Sequence, residues 1–214
     1  MSENVNSKVQ ASVWLKPDQL DALRTAVYRC RPDYLQERDD TILTLMYDTG
    51  VRVGELVAID TDHLRDDNSV LYLPAHIQKE YPTDNSPSAA RLGLATDTTR
   101  TVTSYLSRRW KDTTALFPSR SSERLTTEAV RNMFQRVAAE AGIEPFHRDG
   151  SRGEPNDVTP HALRHSVAYR MMNTEDGNTL YDVRNRLRHR SIQTTERVYD
   201  HIIEVESTTG GSIQ

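Results

Sequence analysis

The fold of this chain is decided by a stretch that begins Thr159-Pro160-His161-Ala162-Leu163-Arg164-His165-Ser166. After a loop it continues as Leu187-Arg188-His189-Arg190-Ser191-Ile192, and it closes as Thr194-Thr195-Glu196-Arg197-Val198-Tyr199-Asp200-His201. Thr159 is a favoured N-cap residue, and Pro160 suits the first helical position, where its missing N–H costs nothing. The sequence therefore predicts that a helix begins here.

The predicted helix places His161 and Arg164 three residues apart on one face. A planar guanidinium can hold a phosphate by two parallel hydrogen bonds, and an imidazole can add a third. Tyr199 follows on a later element and offers an oxygen nucleophile, whose ordinary pKa of about 10 would be lowered by nearby cations. Together these residue types predict a site that binds a phosphate and attacks it.

Two segments of the stretch resemble the catalytic domain of the tyrosine recombinases, the phage-integrase family. Residues 161–165 are similar to the family's HxLRH box, and residues 187–199 are similar to its LGHxSixTT…Y box. The resemblance implies an α+β fold, mainly α-helical, with a small antiparallel β-sheet. It also implies that His161, Arg164 and His189 hold a scissile phosphate. Tyr199 would then be the nucleophile.

A third segment, Thr49-Gly50-Val51-Arg52-Val53-Gly54-Glu55-Leu56, is similar to the family's TGxRxxEL box. The resemblance makes Arg52 the first catalytic arginine and Glu55 its supporting partner. From these residues alone, an ordinary surface ion pair, worth roughly a few tenths of a kcal/mol, would be the favoured interpretation. The boxes further along the chain favour the catalytic one. Gly50 is placed where a helix C-cap would lie.

Lys79 lies between two segments that read as short strands, residues 69–73 and 89–94. The family carries a catalytic lysine in a β-hairpin after its first arginine box, and Lys79 matches that position. Lysine can release a proton near neutral pH when its pKa is lowered, whereas arginine cannot, so Lys79 is a candidate general acid. An exposed hairpin lysine without a catalytic role is the alternative.

The chain departs from the family pattern at two positions. Arg188 replaces the glycine that usually precedes the second histidine of the site. Tyr199 follows His189 by one residue more than is usual, and one residue turns a helix by about 100°. Tyr199 is therefore expected to reach the site only if the backbone between them absorbs the additional residue.

Composition indicates a polar protein without a membrane segment. The chain has 214 residues, of which 36 % are hydrophobic, and its mean hydropathy is −0.69. No apolar run approaches the roughly 20 residues that a membrane span requires, and the first residues show no secretion signal. The single cysteine, Cys30, cannot form an internal disulfide. We expect a cytoplasmic protein with one small buried thiol.

The charges are unevenly distributed, although the formal net charge is only −4. Residues 33–67 are rich in acids, whereas residues 100–136 are rich in bases. This division predicts an acidic face turned to water and a basic face turned to DNA. Lysine is rare and aspartate is common, a composition similar to that of proteins from salt-loving microbes.

The predicted organisation is a flexible leader over residues 1–13, a catalytic domain over residues 14–206 and a flexible tail over residues 207–214. Helices are expected to open near Trp14 and to cover residues 37–48, 96–110, 126–141 and 180–187, from apolar residues at helical spacing. Family members usually carry a helical core-binding domain before the catalytic domain. Few residues precede the first helix here, so a minimal enzyme or a partner that supplies the missing half is expected.

The sequence therefore predicts an enzyme that breaks and rejoins double-stranded DNA as a site-specific recombinase, with no cofactor and no metal. The arginines expected to contact DNA are Arg108, Arg109, Arg184, Arg186, Arg188 and Arg190. Homo-oligomers are expected on DNA. A type IB topoisomerase has a similar set of residues and is one alternative, and a DNA-binding protein that kept the fold without the chemistry is another. A metal site on His161 and His165 is disfavoured because no third ligand is evident.

Overall fold

The computed structural model describes residues 13–79, 87–147, 149–196 and 198–199. Its helices are α1 (Pro17–Cys30), α2 (Asp33–Thr49), α3 (Val53–Ala58), α4 (Thr96–Ser107), α5 (Thr127–Ala141), α6 (Pro160–Asn173) and α7 (Leu180–Leu187). Its strands are β1 (Val13–Trp14), β2 (Leu64–Arg65), β3 (Val70–Leu73), β4 (Ala90–Gly93) and β5 (Phe146–His147). The predicted α+β class, mainly helical with small antiparallel sheets, is confirmed. The tail and the first twelve residues lie outside the described part of the chain.

The larger sheet is antiparallel in the order β2-β3-β4. Leu71 pairs with Leu92 and Leu73 with Ala90, so the two strands predicted around Lys79 do form and do pair. Strand β2 was not predicted. It joins β3 through residues 66–68, which all have positive φ and are Asp or Asn, the residues that tolerate this conformation best after glycine.

The start of the described chain is a strand rather than a helix. Val13 pairs with His147 and Trp14 with Phe146, and helix α1 begins only at Pro17. Trp14 stacks on Phe146 and on Tyr169, with ring centroids 6.3 and 6.2 Å apart. The prediction of a helix from Trp14 was wrong, because an indole with partners from two distant segments is stabilised more by this burial than by joining the helix. Of the predicted leader, only Val13 lies within the described residues.

Helix α2 runs through the centre of the larger core, with Ile42, Leu45 and Met46 fully buried, as predicted. Several of its acids are also buried. Asp40 pairs with Arg24 at 2.7 Å, and Asp39 pairs with Arg31 at 2.6 Å and with Arg38 at 2.8 Å. Asp48 bonds Arg186 and Glu55 bonds Arg52 and Arg188. The expectation that residues 33–67 form a solvent-facing acidic surface was therefore wrong for these four acids, which are buried and pair with arginines instead.

Two helix boundaries differ from prediction in ways that matter for charge. Helix α2 begins at Asp33, and helix α4 ends at Ser107 instead of residue 110. Arg108 and Arg109 therefore follow α4 instead of lying on it. The chain leaves the helix because Trp110 packs edge-on against Tyr34, with ring centroids 5.7 Å apart.

Helix α6 connects the two cores and carries the central residues of the site. Leu163 belongs to the larger core, whereas Val167, Tyr169, Leu187 and Tyr199 belong to a smaller one. Most of α6 between Pro160 and Met171 is buried, so its side chains have fixed surroundings. None of the described helices is both long and apolar enough to span a membrane.

Candidate active site

The first part of the site is the turn between α2 and α3. Gly50 ends α2 with a φ of 64°, and a Cβ there would lie 2.4 Å from Cδ2 of Leu187, so both the turn and the packing require glycine. Arg52 is the N-cap of α3. Glu55 reaches back from the first turn of α3, where its carboxylate accepts the Arg52 backbone N–H at 2.7 Å and the Arg52 guanidinium at 3.0 Å.

Glu55 is only 2 % exposed, so the surface ion-pair interpretation of Arg52 and Glu55 was wrong. The Glu55 carboxylate also accepts a hydrogen bond from the Arg188 guanidinium. One buried carboxylate thus joins the start of α3 to the end of α7. It holds two arginines whose positive charges would otherwise repel each other.

Removing this carboxylate charge is expected to destabilise the fold. Glu55→Gln keeps the side-chain shape but leaves the buried Arg188 without its anion, so the free energy of unfolding should fall by about 3 kcal/mol in urea denaturation. Glu37→Gln is the matched control, since Glu37 pairs with the well-exposed Arg108. That variant should lose less than about 1 kcal/mol. Equal losses for the two variants would contradict a supporting role for Glu55.

Helix α6 supplies the second part of the site. The Thr159 hydroxyl accepts the Ala162 backbone N–H at 3.1 Å and Pro160 is the first helical residue, so the predicted helix start is confirmed. Arg164 is 3 % exposed and donates to the backbone carbonyls of Gly50 and Leu187. This arginine therefore fixes the α2–α3 turn against the end of α7.

Burial and repulsion between cations shift the pKa values of this group. Burial lowers the Arg164 pKa to about 9, and Arg52 adds to the shift. Burial also lowers the pKa of His161, with further contributions from Arg164 and Arg52. The site holds more positive charge than its surroundings neutralise, which is the condition for binding an anion.

Arg188 ends helix α7 in the left-handed region, with a φ of 54°. This backbone explains why the family prefers glycine at the position, since a side chain there costs roughly 1–2 kcal/mol. The side chain is 10 % exposed and bonds Glu55. Burial lowers its pKa, and the Glu55 charge opposes that shift. The family's glycine has thus been replaced by a third arginine, largely buried, close to Arg52 and Arg164.

The third part of the site is formed by His189 and Tyr199. Helical residues at 192–196 and 198–199 bring Tyr199 back to the site, where its ring lies parallel to that of His189, with centroids 5.8 Å apart. Nδ1 of His189 and Oγ1 of Thr195 form a hydrogen bond of 2.9 Å. The additional residue between His189 and Tyr199 therefore does not remove the tyrosine from the site.

Tyr199 is 1 % exposed, and its hydroxyl lies 3.0 Å from Nδ1 of His165. Burial raises the Tyr199 pKa to about 12, although Arg164 and Arg52 act in the opposite direction. Burial likewise lowers the His189 pKa to about 3, together with the charges of Arg164 and Arg52. Both groups are neutral near pH 7. The expectation that cations would lower the tyrosine pKa was wrong because desolvation outweighs them here.

An open cleft of about 780 Å³ lies beside these groups. Arg164 lines it from the interior, and Arg52 and His161 line it nearer the surface. The exposed Lys79 lines it from the segment after β3. Arg131 on α5 also lines the cleft, although nothing in its local sequence distinguishes it from the other arginines of that helix. His165 was considered from the sequence as a metal ligand, yet its side chain contacts the Tyr199 hydroxyl. Its position four residues after His161, on the same helix face, was the available signal.

The six arginines expected to contact DNA lie in different surroundings. Arg186 bonds Asp48 and the Gly93 carbonyl, and Arg188 bonds Glu55, so both are held by the protein. Arg108 pairs with Glu37, and Arg109 donates to the Thr113 carbonyl at 2.7 Å. Arg184 contacts Asn185 at 3.3 Å. Arg190 is exposed.

Comparison with known proteins gives a consistent result. The sequence model described as the phage integrase family matches residues 13–205. The tyrosine recombinase XerC of Roseiflexus castenholzii is 32 % identical over 196 residues, which are 91 % of this chain and 57 % of that protein. The chain thus spans little more than half the length of this curated relative.

Two solved structures are similar in fold. The crystal structure of XerA recombinase has a TM-score of 0.70 at 22 % identity, and the match covers 100 % of this chain and 68 % of that one. The XerH site-specific recombinase bound to its difH substrate, in a pre-cleavage complex, has a TM-score of 0.65 at 18 % identity. That match covers 98 % of this chain and 56 % of the other.

Proposed function

Because the chain belongs to the phage integrase family, we propose that it is a site-specific recombinase that breaks and rejoins DNA through a 3′-phosphotyrosyl intermediate. One observation supports this proposal most strongly. Tyr199 lies in one buried cluster with His189, close enough to Arg52 and Arg164 for their charges to act on its pKa. These residues come from distant parts of the sequence, and a phosphate bound beside them would face an oxygen nucleophile.

In this proposal, the scissile phosphate binds in the cleft against Arg52, Arg164 and His161, with His189 behind it. The arginines donate paired hydrogen bonds, and the neutral imidazoles can each donate one more. Negative charge grows on the phosphate oxygens as the pentavalent transition state forms. Fixed cations in a partly desolvated site stabilise that charge more strongly than water does.

The chemical step exchanges one phosphodiester bond for another. The Tyr199 oxygen attacks phosphorus, the bond from phosphorus to the 5′-oxygen breaks, and Lys79 gives a proton to that leaving oxygen. The phosphotyrosyl bond keeps most of the energy of the original phosphodiester. Rejoining is the reverse reaction with another 5′-hydroxyl, so neither ATP nor a metal ion is needed for energetic reasons.

Double-stranded DNA is the proposed partner. The XerH recombinase, which has a similar fold, was solved on its difH substrate, and the Tn1549 transposon integrase, also similar in fold, was solved in complex with transposon right end DNA. We assign phosphate-backbone contacts to Arg131 beside the cleft and to Arg190, Arg184, Arg108 and Arg109 around it. Arg186 and Arg188 are assigned to support of the site, because carboxylates of the protein already hold them. A cytoplasmic location accords with this substrate.

We further propose that the chain forms homo-oligomers on DNA, since recombination requires two duplexes to be cut and rejoined together. The apolar residues Ile202, Ile203 and Val205, which lie outside the described part of the chain, are the proposed docking segment. A topoisomerase of the type IB class would use the same chemistry without this assembly.

A nicked suicide duplex tests the proposed function. After cleavage its short 5′ fragment diffuses away, so the covalent protein–DNA adduct should accumulate, and it should do so in EDTA. Sedimentation of the trapped complexes should show more than one protein chain per assembly. Absence of any adduct on a range of duplexes would contradict the enzyme, whereas adducts and supercoil relaxation by a protein that stays monomeric would favour the topoisomerase.

A further inference from the structure

Within the described residues, the Tyr199 hydroxyl is hydrogen-bonded to one side chain that can accept a proton. Nδ1 of His165 lies 3.0 Å from the phenolic oxygen, and the two rings meet edge to face with centroids 5.5 Å apart. The His165 side chain is as well buried as Tyr199, at 6 % exposure. Water therefore has little access to this hydrogen bond.

A buried phenol needs a proton acceptor before it can act as a nucleophile. A phenol with its ordinary pKa of about 10 is already neutral near pH 7, and burial raises the Tyr199 pKa further, to about 12. The proposed function gives the leaving oxygen a proton from Lys79 but assigns no group to take the proton of Tyr199. Proton removal by a positioned base typically accelerates such reactions by about 10²–10⁴-fold.

His189 is less suited to this task, although it also contacts Tyr199. Its ring is nearly parallel to the tyrosine ring, with an interplanar angle of 6°, so its in-plane lone pairs do not point at the phenol. Its Nδ1 is also hydrogen-bonded to the Thr195 hydroxyl. His165, in contrast, meets the phenol edge-on with a ring nitrogen.

Helix α6 also fixes the position of His165. His161, one turn earlier, contacts the His165 ring with centroids 4.3 Å apart. Among the described residues, the charged or titratable groups around the pair include His161 and Arg164 on α6, Arg52 at the N-cap of α3 and His189 after α7. Within the described part of the chain, the group hydrogen-bonded to the Tyr199 hydroxyl is the His165 imidazole, which makes a histidine the candidate base.

We propose that His165 is a further catalytic residue, which accepts the Tyr199 proton during attack. This inference rests on the proposed function. The bond between hydrogen and the phenolic oxygen breaks, the proton moves to Nδ1, and the oxygen forms its bond to phosphorus. The bond to the 5′-oxygen breaks in the same step, and Lys79 protonates that oxygen. In rejoining, His165 returns the proton to Tyr199.

The variant His165→Asn tests this assignment. An asparagine amide lies about where Nδ1 lies and keeps a hydrogen bond, but it cannot accept the proton. Adduct formation should slow by about 100-fold, the lower end of the range for a general base. DNA binding and thermal unfolding should change little. His63→Asn is the control, since His63 is also buried but bonds the Asp60 backbone away from the cleft.

A fluorinated tyrosine at position 199 separates proton transfer from packing. Ring fluorination lowers the phenol pKa, so a nucleophile of this kind depends less on a base. It should restore part of the rate to the His165→Asn variant. In the chain that retains His165, the rate of adduct formation should rise with pH over the same range with either tyrosine. That rise would follow loss of a proton from the histidine and not from the phenol.

Two results would overturn the proposal. If His165→Asn forms the adduct as fast as the unaltered chain or faster, His165 is a packing residue or a latch that holds Tyr199 at rest. If the rising limb of the pH profile moves to lower pH with the fluorinated tyrosine, the phenol loses its proton without His165. This measurement uses the chain that retains His165, so it decides the question even if the asparagine variant does not fold. Failure of the proposed function itself is distinct, since the unaltered chain would then give no adduct.

Discussion

Tyr199→Phe is expected to abolish the covalent DNA adduct while DNA binding stays nearly unchanged. The substitution removes only the phenolic oxygen, which is the proposed nucleophile, and it leaves the ring against His189. One hydrogen bond to His165 is lost, so the free energy of unfolding should fall by about 1 kcal/mol. Adduct formation on the nicked suicide duplex is the measurement, with DNA affinity determined in parallel.

Tyr105→Phe is the matched control for this experiment. Tyr105 is buried to a similar extent, and its hydroxyl donates a single hydrogen bond of 2.9 Å to the Leu116 carbonyl. Its pKa is also raised to about 12 by burial. This control should lose comparable stability but keep the adduct. An adduct formed by the Tyr199→Phe chain would show that another group is the nucleophile.

Lys79→Arg is expected to reduce cleavage by about 100-fold or more, within the range for loss of a general acid. Arginine keeps the positive charge in the cleft, but it does not release its proton near neutral pH. The leaving 5′-oxygen must then depart without a proton. Single-turnover cleavage of the suicide duplex measures the effect.

A duplex with sulfur at the bridging 5′ position tests the reason for the Lys79 effect. A thiolate is a better leaving group than an alkoxide and needs no proton, so this substrate should restore much of the rate. Lys111→Arg is the control, since Lys111 donates to the carbonyls of Ser119 and Ser122 outside the cleft. If the sulfur substrate restores nothing, Lys79 acts in binding and not as the acid.

Local sequence predicted the elements that carry the site. The N-cap at Thr159, the C-cap at Gly50 and the paired strands on either side of Lys79 all form as expected. Each depends on hydrogen bonds between residues close in sequence or on the backbone preferences of single residues. Such features leave a recognisable pattern in one short segment.

The charges were predicted less well, because sequence counts cannot distinguish exposed acids from buried ones. Asp40 and Asp48 lie within an acid-rich stretch, yet each is buried against an arginine from another helix. A buried carboxylate is stable only when a cation or hydrogen-bond donors surround it. The partner in each case is chosen by helix packing.

The sequence by itself determined the family, the helical class and the set of chemical groups, because these depend on residue types at fixed short spacings. Tertiary structure alone decided how the groups meet. It placed Glu55 between Arg52 and Arg188, and it set the Tyr199 hydroxyl against His165 in spite of the additional residue before it. The physical reason is burial. Packing between distant segments determines which groups are in contact, and desolvation determines which of them are charged. Neither can be read from a short local pattern.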